Sequence, residues 1–309
     1  MGVITQSSFA KALWPGVNKW YGDAYAEFPV EWTSLFEQHS SKRAFEEDVG
    51  TSGFGLAVVK GEGASITYDS ARQGFTSRYN PVVYALGFVI TKEAFSDDQY
   101  DVVGKLKARS LAFSMRQTKE IVAANIYNRA FNTSYVGGDG ATLIASAGGG
   151  GSTSAPNVAG GTYTNGVSAA VDLSEAALEQ AVIDLAAFTN DRGLKIAVKP
   201  RSLIIPVNLM FEAERILKAN GRTGTDTNDP NVLKTMGLIP EIIVNHYLTD
   251  TDAWFIRTNV ENGLKYFERW GDDFGMDSDF DTMNAKYKAV ARYAFGWTDR
   301  RQLYGSPGV

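Results

Sequence analysis

Five aspartates fall within ten positions, at 272, 273, 277, 279 and 281, and Asp277, Asp279 and Asp281 read D-x-D-x-D. Carboxylates at alternate positions open a calcium-binding loop, where hard oxygen ligands close on one cation. A loop of that type starting at Asp277 also needs Gly at its sixth place, for the sharp turn, and Glu at its twelfth, as a bidentate ligand. The chain has Thr282 and Lys288 there. Two alternatives stand for residues 272–281. One is a looser carboxylate and carbonyl cation site that includes Asp272 and Asp273. The other, preferred here, is an exposed turn whose short acids bond their own backbone, at the point where the chain leaves one domain and starts a closing strand in another.

Other chemistries find little support. The chain has no cysteine, which excludes disulfides, thiolate zinc sites and a cysteine nucleophile. Its two histidines, His39 and His246, are far apart in sequence, and neither has a second histidine at zinc-ligand spacing. The stretch "GTSGFG" at 50–55 resembles a nucleophile elbow, but Phe54 occupies the place of the last glycine. The acids offer many carboxylate pairs and no spacing singles one out. Asn132-Thr133-Ser134 matches a glycosylation triplet, which matters only for a secreted chain. No catalytic, cofactor or metal residue is assigned, and no enzyme is expected.

Lys and Arg number 30 against 35 Asp and Glu, a net charge of −5. That balance argues against a dedicated nucleic-acid binder. The N-terminal stretch lacks a basic start followed by an apolar run, so no secretory signal is expected. Gly2 is followed by Gln6 where a myristoylation pattern needs Ser or Thr. No run of 18 apolar residues is present, so no membrane span is expected. A soluble chain made in a cytoplasm is the expectation, with length for one large domain or two smaller ones.

The elements that would position any site follow in order. Residues 1–50 are rich in aromatics, including Trp14, Trp20 and Trp32, with poor helical periodicity before Pro29. Two alternatives stand: an arm whose rings another surface covers, or a local subdomain on its own core. Residues 51–90 are β-like and glycine-punctuated, with "GFGLAVVKGEG" and "GFTSRYNPVVYALGFVIT" expected as the strands of a long ribbon. Such a ribbon is barely stable alone and needs support. Ser96 and Gln99 form a capping box, flanked by Phe95 and Tyr100, at the start of a helix expected over 97–131, about 50 Å long. Leu111, Met115, Val122 and Ile126 mark its apolar stripe.

Residues 137–166 hold ten glycines and read as a mobile loop or edge ribbon without a phosphate-binding pattern. Residues 172–262 alternate helix and strand: a helix with Leu178, Val182 and Leu185 that Gly193 is placed to end, strands at "LKIAVKP", "GLIPEIIVN" and "AWFIRTN", and the run "SLIIPVNLMFEAERILKA". In "NAKYKAVARYAFGW", Tyr287, Ala289, Ala291, Tyr293, Phe295 and Trp297 alternate with Lys286, Lys288, Val290, Arg292 and Ala294, a strand about 40 Å long.

This order of parts resembles the major capsid proteins of tailed bacteriophages with the Hong Kong 97-type fold. The residues that carry the resemblance are "ITKEAFSDDQYD", "LKIAVKPRSLIIPVNLMFEAERIL", "AWFIRTNVENGLKYFERWGDDF" and "AKYKAVARYAFGWTDRRQLYGS", the last two being similar to the Mu-type head subunit group. The resemblance implies an α+β phage capsid fold: an N-terminal arm (1–50), an extended β-hairpin loop (51–90), a peripheral domain (91–170 and 263–309) with spine helix 97–131 and a long β-sheet, and an α/β axial domain (171–262). It implies a structural shell subunit that self-assembles into hexamers and pentamers around double-stranded viral DNA, in an icosahedral or prolate head. Synthesis in the host cytoplasm, a separate scaffolding protein and a portal come with it; no cofactor and no membrane do.

The candidate inter-subunit contacts are Trp14 and Trp20 in the arm, Glu62, Arg72 and Arg78 in the ribbon, and Arg222, Asp226 and Asp229 in the loop 221–231, where the family places contacts around the capsomer centre. For the ribbon charges the alternative is a solvated edge that discourages stray pairing. A nanocompartment shell of the encapsulin type and a soluble metal-binding α/β protein remain as other functions.

Overall fold

The computed structural model describes residues 10–71, 73–91, 93, 104–145, 164–221, 229–278 and 284–309, with side chains of the first helix from Asn18 onward. The elements in chain order are α1 (Ala10–Glu27), β1 (Glu37–Ser40), β2 (Glu46–Thr51), β3 (Gln73–Tyr79), β4 (Val82–Ile90), α2 (Lys105–Asn128), α3 (Glu175–Ala186), β5 (Pro200–Pro206), α4 (Met210–Lys218), α5 (Val232–Met236), β6 (Glu241–Asn245), β7 (Trp254–Thr258), β8 (Leu264–Ser278), β9 (Ala285–Trp297) and β10 (Leu303–Ser306). Two compact units result. The first comprises 1–45, 80–123 and 266–294; the second comprises 46–79, 124–265 and 295–309. Among the described residues, no helix is long and apolar enough to cross a membrane.

In the first unit, a sheet of order β1-β8-β9-β4 carries the helices α1 and α2. Strand β9 pairs with β4 antiparallel without a bulge, from Val82↔Tyr293 to Ile90↔Ala285. Its alternation follows the sequence pattern as far as Tyr293, with Tyr287, Ala289, Ala291 and Tyr293 buried and Lys286 and Lys288 exposed, and then lapses: Ala294 is buried and Phe295 and Trp297 are half-buried. Tyr84 stacks on Tyr293 at 4.7 Å and Phe88 on Tyr287 at 4.9 Å, cross-strand pairs of the kind that hold sheets together. Gly87 lets the strands approach, since a Cβ there would lie 2.6 Å from the Tyr287 carbonyl oxygen. Helix α2 buries Ala108, Leu111, Ala112 and Met115, one stripe at helical spacing.

Two expectations change here. Helix α1 occupies a stretch whose helical periodicity reads as poor in the sequence. Its stripe is Tyr21, Ala24 and Tyr25, in which tyrosines replace the usual aliphatics, and it ends just before Phe28-Pro29, where proline disfavours helical backbone at the preceding residue. Asp272, Asp273 and Asp277 lie within strand β8 and so do not form the expected turn. Asp279 and Asp281 lie outside the described residues, as do the capping box and the expected first turns of the spine helix; α2 ends at Asn128, short of residue 131.

In the second unit, a sheet of order β10-β7-β5-β6 is antiparallel except for the β5–β6 pair, whose parallel strands are connected through α4 and α5. Leu203, Ile205, Trp254, Ile256 and Tyr304 from the sheet pack with Leu178, Leu185, Ala213 and Leu217 from the helices. Ser174 caps α3 by accepting from the Ala177 amide at 3.2 Å, and Gly237 ends α5 in the left-handed conformation. Asn165 is fully buried: it accepts from the Ala145 amide at 2.7 Å, and its amide nitrogen faces the carbonyls of Leu143, Arg300 and Leu303.

The strand expected at "LKIAVKP" is absent: β5 begins at Pro200, because Ala197 adopts a positive φ of 49° that interrupts an extended path. Helix α3 ends at Ala186, and Gly193, at φ 78°, closes a later turn. The ribbon is narrower than expected. Its ladder pairs β2 with β3, Glu46↔Tyr79 to Thr51↔Gln73, and β4 passes into the other sheet after Asn80-Pro81, since proline has no amide to continue a ladder.

Candidate assembly surfaces

Residues 52–71 connect the two ladder strands without forming a ladder of their own. They nevertheless carry strand-like alternation: Phe54, Leu56 and Val58 on the outgoing limb, Ile66 and Tyr68 on the returning one. All five are exposed, as is Val59. A turn at the tip closes with the Ala64 amide donating to the Gly61 carbonyl at 3.1 Å. At the neck, Asp69 Oδ2 accepts from the Gly55 amide and Oδ1 from the Ser70 amide, both at 2.8 Å. These bonds, Gly55's first, hold its carboxyl below the usual carboxylate range. So many exposed apolar side chains on one segment make it a candidate interaction surface. Covering one of the larger ones is worth about 1.5–3 kcal/mol.

The ribbon candidates fall on or beside this element, and the loop candidates fall between α4 and α5. Glu62 is exposed in the tip turn. Arg78, in β3, pairs with Glu47 of β2 at 2.8 Å, both largely exposed; surface pairs of this kind contribute at most about 1 kcal/mol. Arg72 lies outside the described residues, as do Arg222 and Asp226. Asp229 is exposed beside the Gly221↔Pro230 bridge. Trp20 is half-buried in α1, and Trp14 lies on the same helix ahead of the described side chains.

The first unit contains a polar joint that no sequence pattern announced. Lys119 of α2, its side chain 5% exposed, lies 3.5 Å from Asp272 and 3.7 Å from Glu268 of β8. The rings of Trp32, Tyr266 and Tyr293 surround its ammonium at 5.2–5.4 Å. The next residue, Glu120, is buried and accepts from the Glu31 and Trp32 amides at 3.1 and 3.0 Å. Burial pushes its carboxyl above the usual range, and the two amide bonds oppose that. Tyr25 of α1 donates to Asp272, while the Arg116 guanidinium sits 4.0 Å over its ring and donates to its carbonyl. Burial, then the Asp272 charge, push the Tyr25 hydroxyl up. Asp272 is therefore an anchor between α1, α2 and β8.

The second unit has a cleft of about 580 Å³ lined by Asp48, Gly50, Phe75, Asp139, Arg192 and Arg300 among others. Asp48 accepts from Lys265 and from Thr298, and Thr298 bonds the Tyr79 hydroxyl. Asp139 pairs with Arg300 at 3.2 Å, and its carboxyl is raised by burial against the Arg300 charge that lowers it. These acids are tied to cations and hydroxyls, and among the described residues no three His, Asp or Glu gather as metal ligands. The arrangement is suited to holding elements together.

A family model described as phage capsid protein matches residues 74–306. No curated protein matches the chain in sequence. Among solved structures, a chain of Mycobacterium phage Che8 is similar with a TM-score of 0.54 at 11% identity, over 90% of this chain and 92% of that one. The procapsid of bacteriophage JBD30 gives 0.52 at 14% identity, over 97% and 75%. The virus-like particle from Pyrococcus furiosus gives 0.50 at 12% identity, over 94% and 97%. At these identities the likeness is one of fold.

Proposed function

The chain belongs to the phage capsid protein family, and we propose that it builds its shell by laying residues 52–71 of one copy over the surface of the next. Its role is structural: it is a capsid shell protein with the α+β fold of phage capsids, and its place is the virion. The observation that carries the proposal is the exposed alternation of Phe54, Leu56, Val58, Ile66 and Tyr68 on a segment without a ladder. Copies arranged as hexamers and pentamers give every loop a neighbour and close the shell. Synthesis in the host cytoplasm, a separate scaffolding protein, a portal and enclosed double-stranded DNA complete this reading. The net charge of −5 suits a wall that contains DNA without gripping its phosphates.

The test is assembly of the purified chain followed by light scattering and negative-stain imaging. The parent is expected to form closed particles or capsomers. Leu56→Asp combined with Val58→Asp is expected to remain dispersed with its fold intact, and normal particles from that variant would refute the loop contact. The likeness to the Pyrococcus furiosus virus-like particle favours a nanocompartment shell as the second reading. Gene neighbourhood separates the two: terminase and portal genes accompany a phage head, a cargo enzyme gene accompanies a nanocompartment.

A further inference from the structure

One side chain grips both limbs of residues 52–71 at their neck. Arg192 lies in the turn after α3. Its Nε donates to the Gly53 carbonyl at 3.1 Å and its Nη2 to the Ser70 carbonyl at 2.7 Å. The same Nη2 is 3.7 Å from Asp69 Oδ1. The preceding residue, Asp191, accepts from the Gly53 amide at 3.4 Å. The turn is itself braced: Asn190 Oδ1 accepts from the Arg192 and Leu194 amides at 2.9 and 2.8 Å, and the Asn190 amide donates to the Leu194 carbonyl. A planar guanidinium can bridge two carbonyls in fixed geometry, which a lysine ammonium cannot.

We propose that Arg192 is a positioning residue for assembly: it clasps the two limbs of the loop to the braced turn and so sets the direction in which the apolar segment is presented to a neighbouring copy. The proposal rests on the reading that this segment contacts a neighbour. Without the clasp, the outgoing limb keeps the single Gly53–Asp191 bond to the turn and the neck keeps Asp69's bonds to the Gly55 and Ser70 amides, so the loop samples more directions. The cost of ordering it then falls on the association step.

Absence of native cysteine allows clean paired labelling. Ser65→Cys in the loop and Ala176→Cys in α3 are both exposed sites. Spin-label distances are measured in the unassembled full-length chain. The expected result is a narrow distribution for the parent, a several-fold broader one for Arg192→Ala, and an intermediate one for Arg192→Lys, with an unchanged thermal midpoint. The concentration needed for assembly is expected to rise about tenfold in Arg192→Ala. Arg192→Gln replaces it if the alanine variant fails to fold. A variant distribution as narrow as the parent's overturns the proposal, as does lysine equal to arginine, or a broadened loop that assembles at the parent's threshold. Normal assembly of the Leu56→Asp, Val58→Asp variant instead defeats the reading that the loop contacts neighbours, while the neck measurement stands by itself.

Discussion

Strand β9 and the loop 52–71 carry the same period-two alternation, yet Tyr293 in β9 is 2% exposed and Tyr68 in the loop is 89% exposed. Tyr293 has Tyr84 at 4.7 Å, Tyr266 at 5.9 Å and the Lys119 ammonium at 5.2 Å within its own unit. The alternation states that one face wants cover. It does not state which chain provides it. In β9 the cover comes from the sheet and helices of the same chain; in the loop the apolar side chains stay exposed, and the proposed function has a neighbouring copy cover them.

The sharpest way to break this comparison is to truncate the two tyrosines. Tyr293→Ala is expected to destabilise the first unit by about 3–5 kcal/mol, the range for deleting a large buried aromatic, and denaturant unfolding would measure it. Tyr68→Ala is expected to change the unassembled chain by no more than about 0.5 kcal/mol, as exposed positions do, while lowering the melting temperature of assembled particles. Equal effects of the two in the unassembled chain would remove the distinction.

Smaller effects sharpen it. Lys119→Met leaves Asp272 and Glu268 without their cation, and a loss of about 2 kcal/mol is expected because both acids keep some solvent. Arg78→Ala is expected to cost under about 1 kcal/mol in the unassembled chain; a marked loss of assembly yield would then mark Arg78 as an inter-subunit contact. The smallest effect is a pH dependence at the loop neck. The Asp69 carboxyl titrates below its ordinary value of 3.8, so its ionised form is favoured in the folded chain. Its contribution is present above that value and is lost as pH falls through the lowered one. The Gly55 and Ser70 amide resonances are expected to hold their positions through mildly acid pH and to shift only below the usual aspartate range.

Much of the frame was legible because it depends on local periodicity. The alternation of 285–297 became β9 over nearly its whole length, and Leu111 and Met115 lie on the buried stripe of α2. The apolar runs at "EIIVN" and "WFIRT" are β6 and β7. The errors have local causes too. Helix α1 hid behind tyrosines, β5 started late because of the Ala197 backbone, and the aspartates of 272–277 turned out to be strand residues. Among the surface candidates, Glu62, Arg72 and Arg78 are charges that punctuate the ribbon. The apolar alternation of "ASITYDS" between them was the stronger signal available for a contact surface.

What the amino-acid sequence determined by itself was the set of faces that need cover, the absence of cysteine, and an order of elements similar to a phage head subunit. What only the tertiary structure decided was which needs are met within the chain. Lys119 meeting Asp272, Glu120 taking the Glu31 and Trp32 amides, and Arg192 joining Gly53 to Ser70 all join residues distant in sequence. Periodicity is a property of neighbours along the chain, whereas such pairings depend on where folding brings remote segments, and no local pattern encodes that.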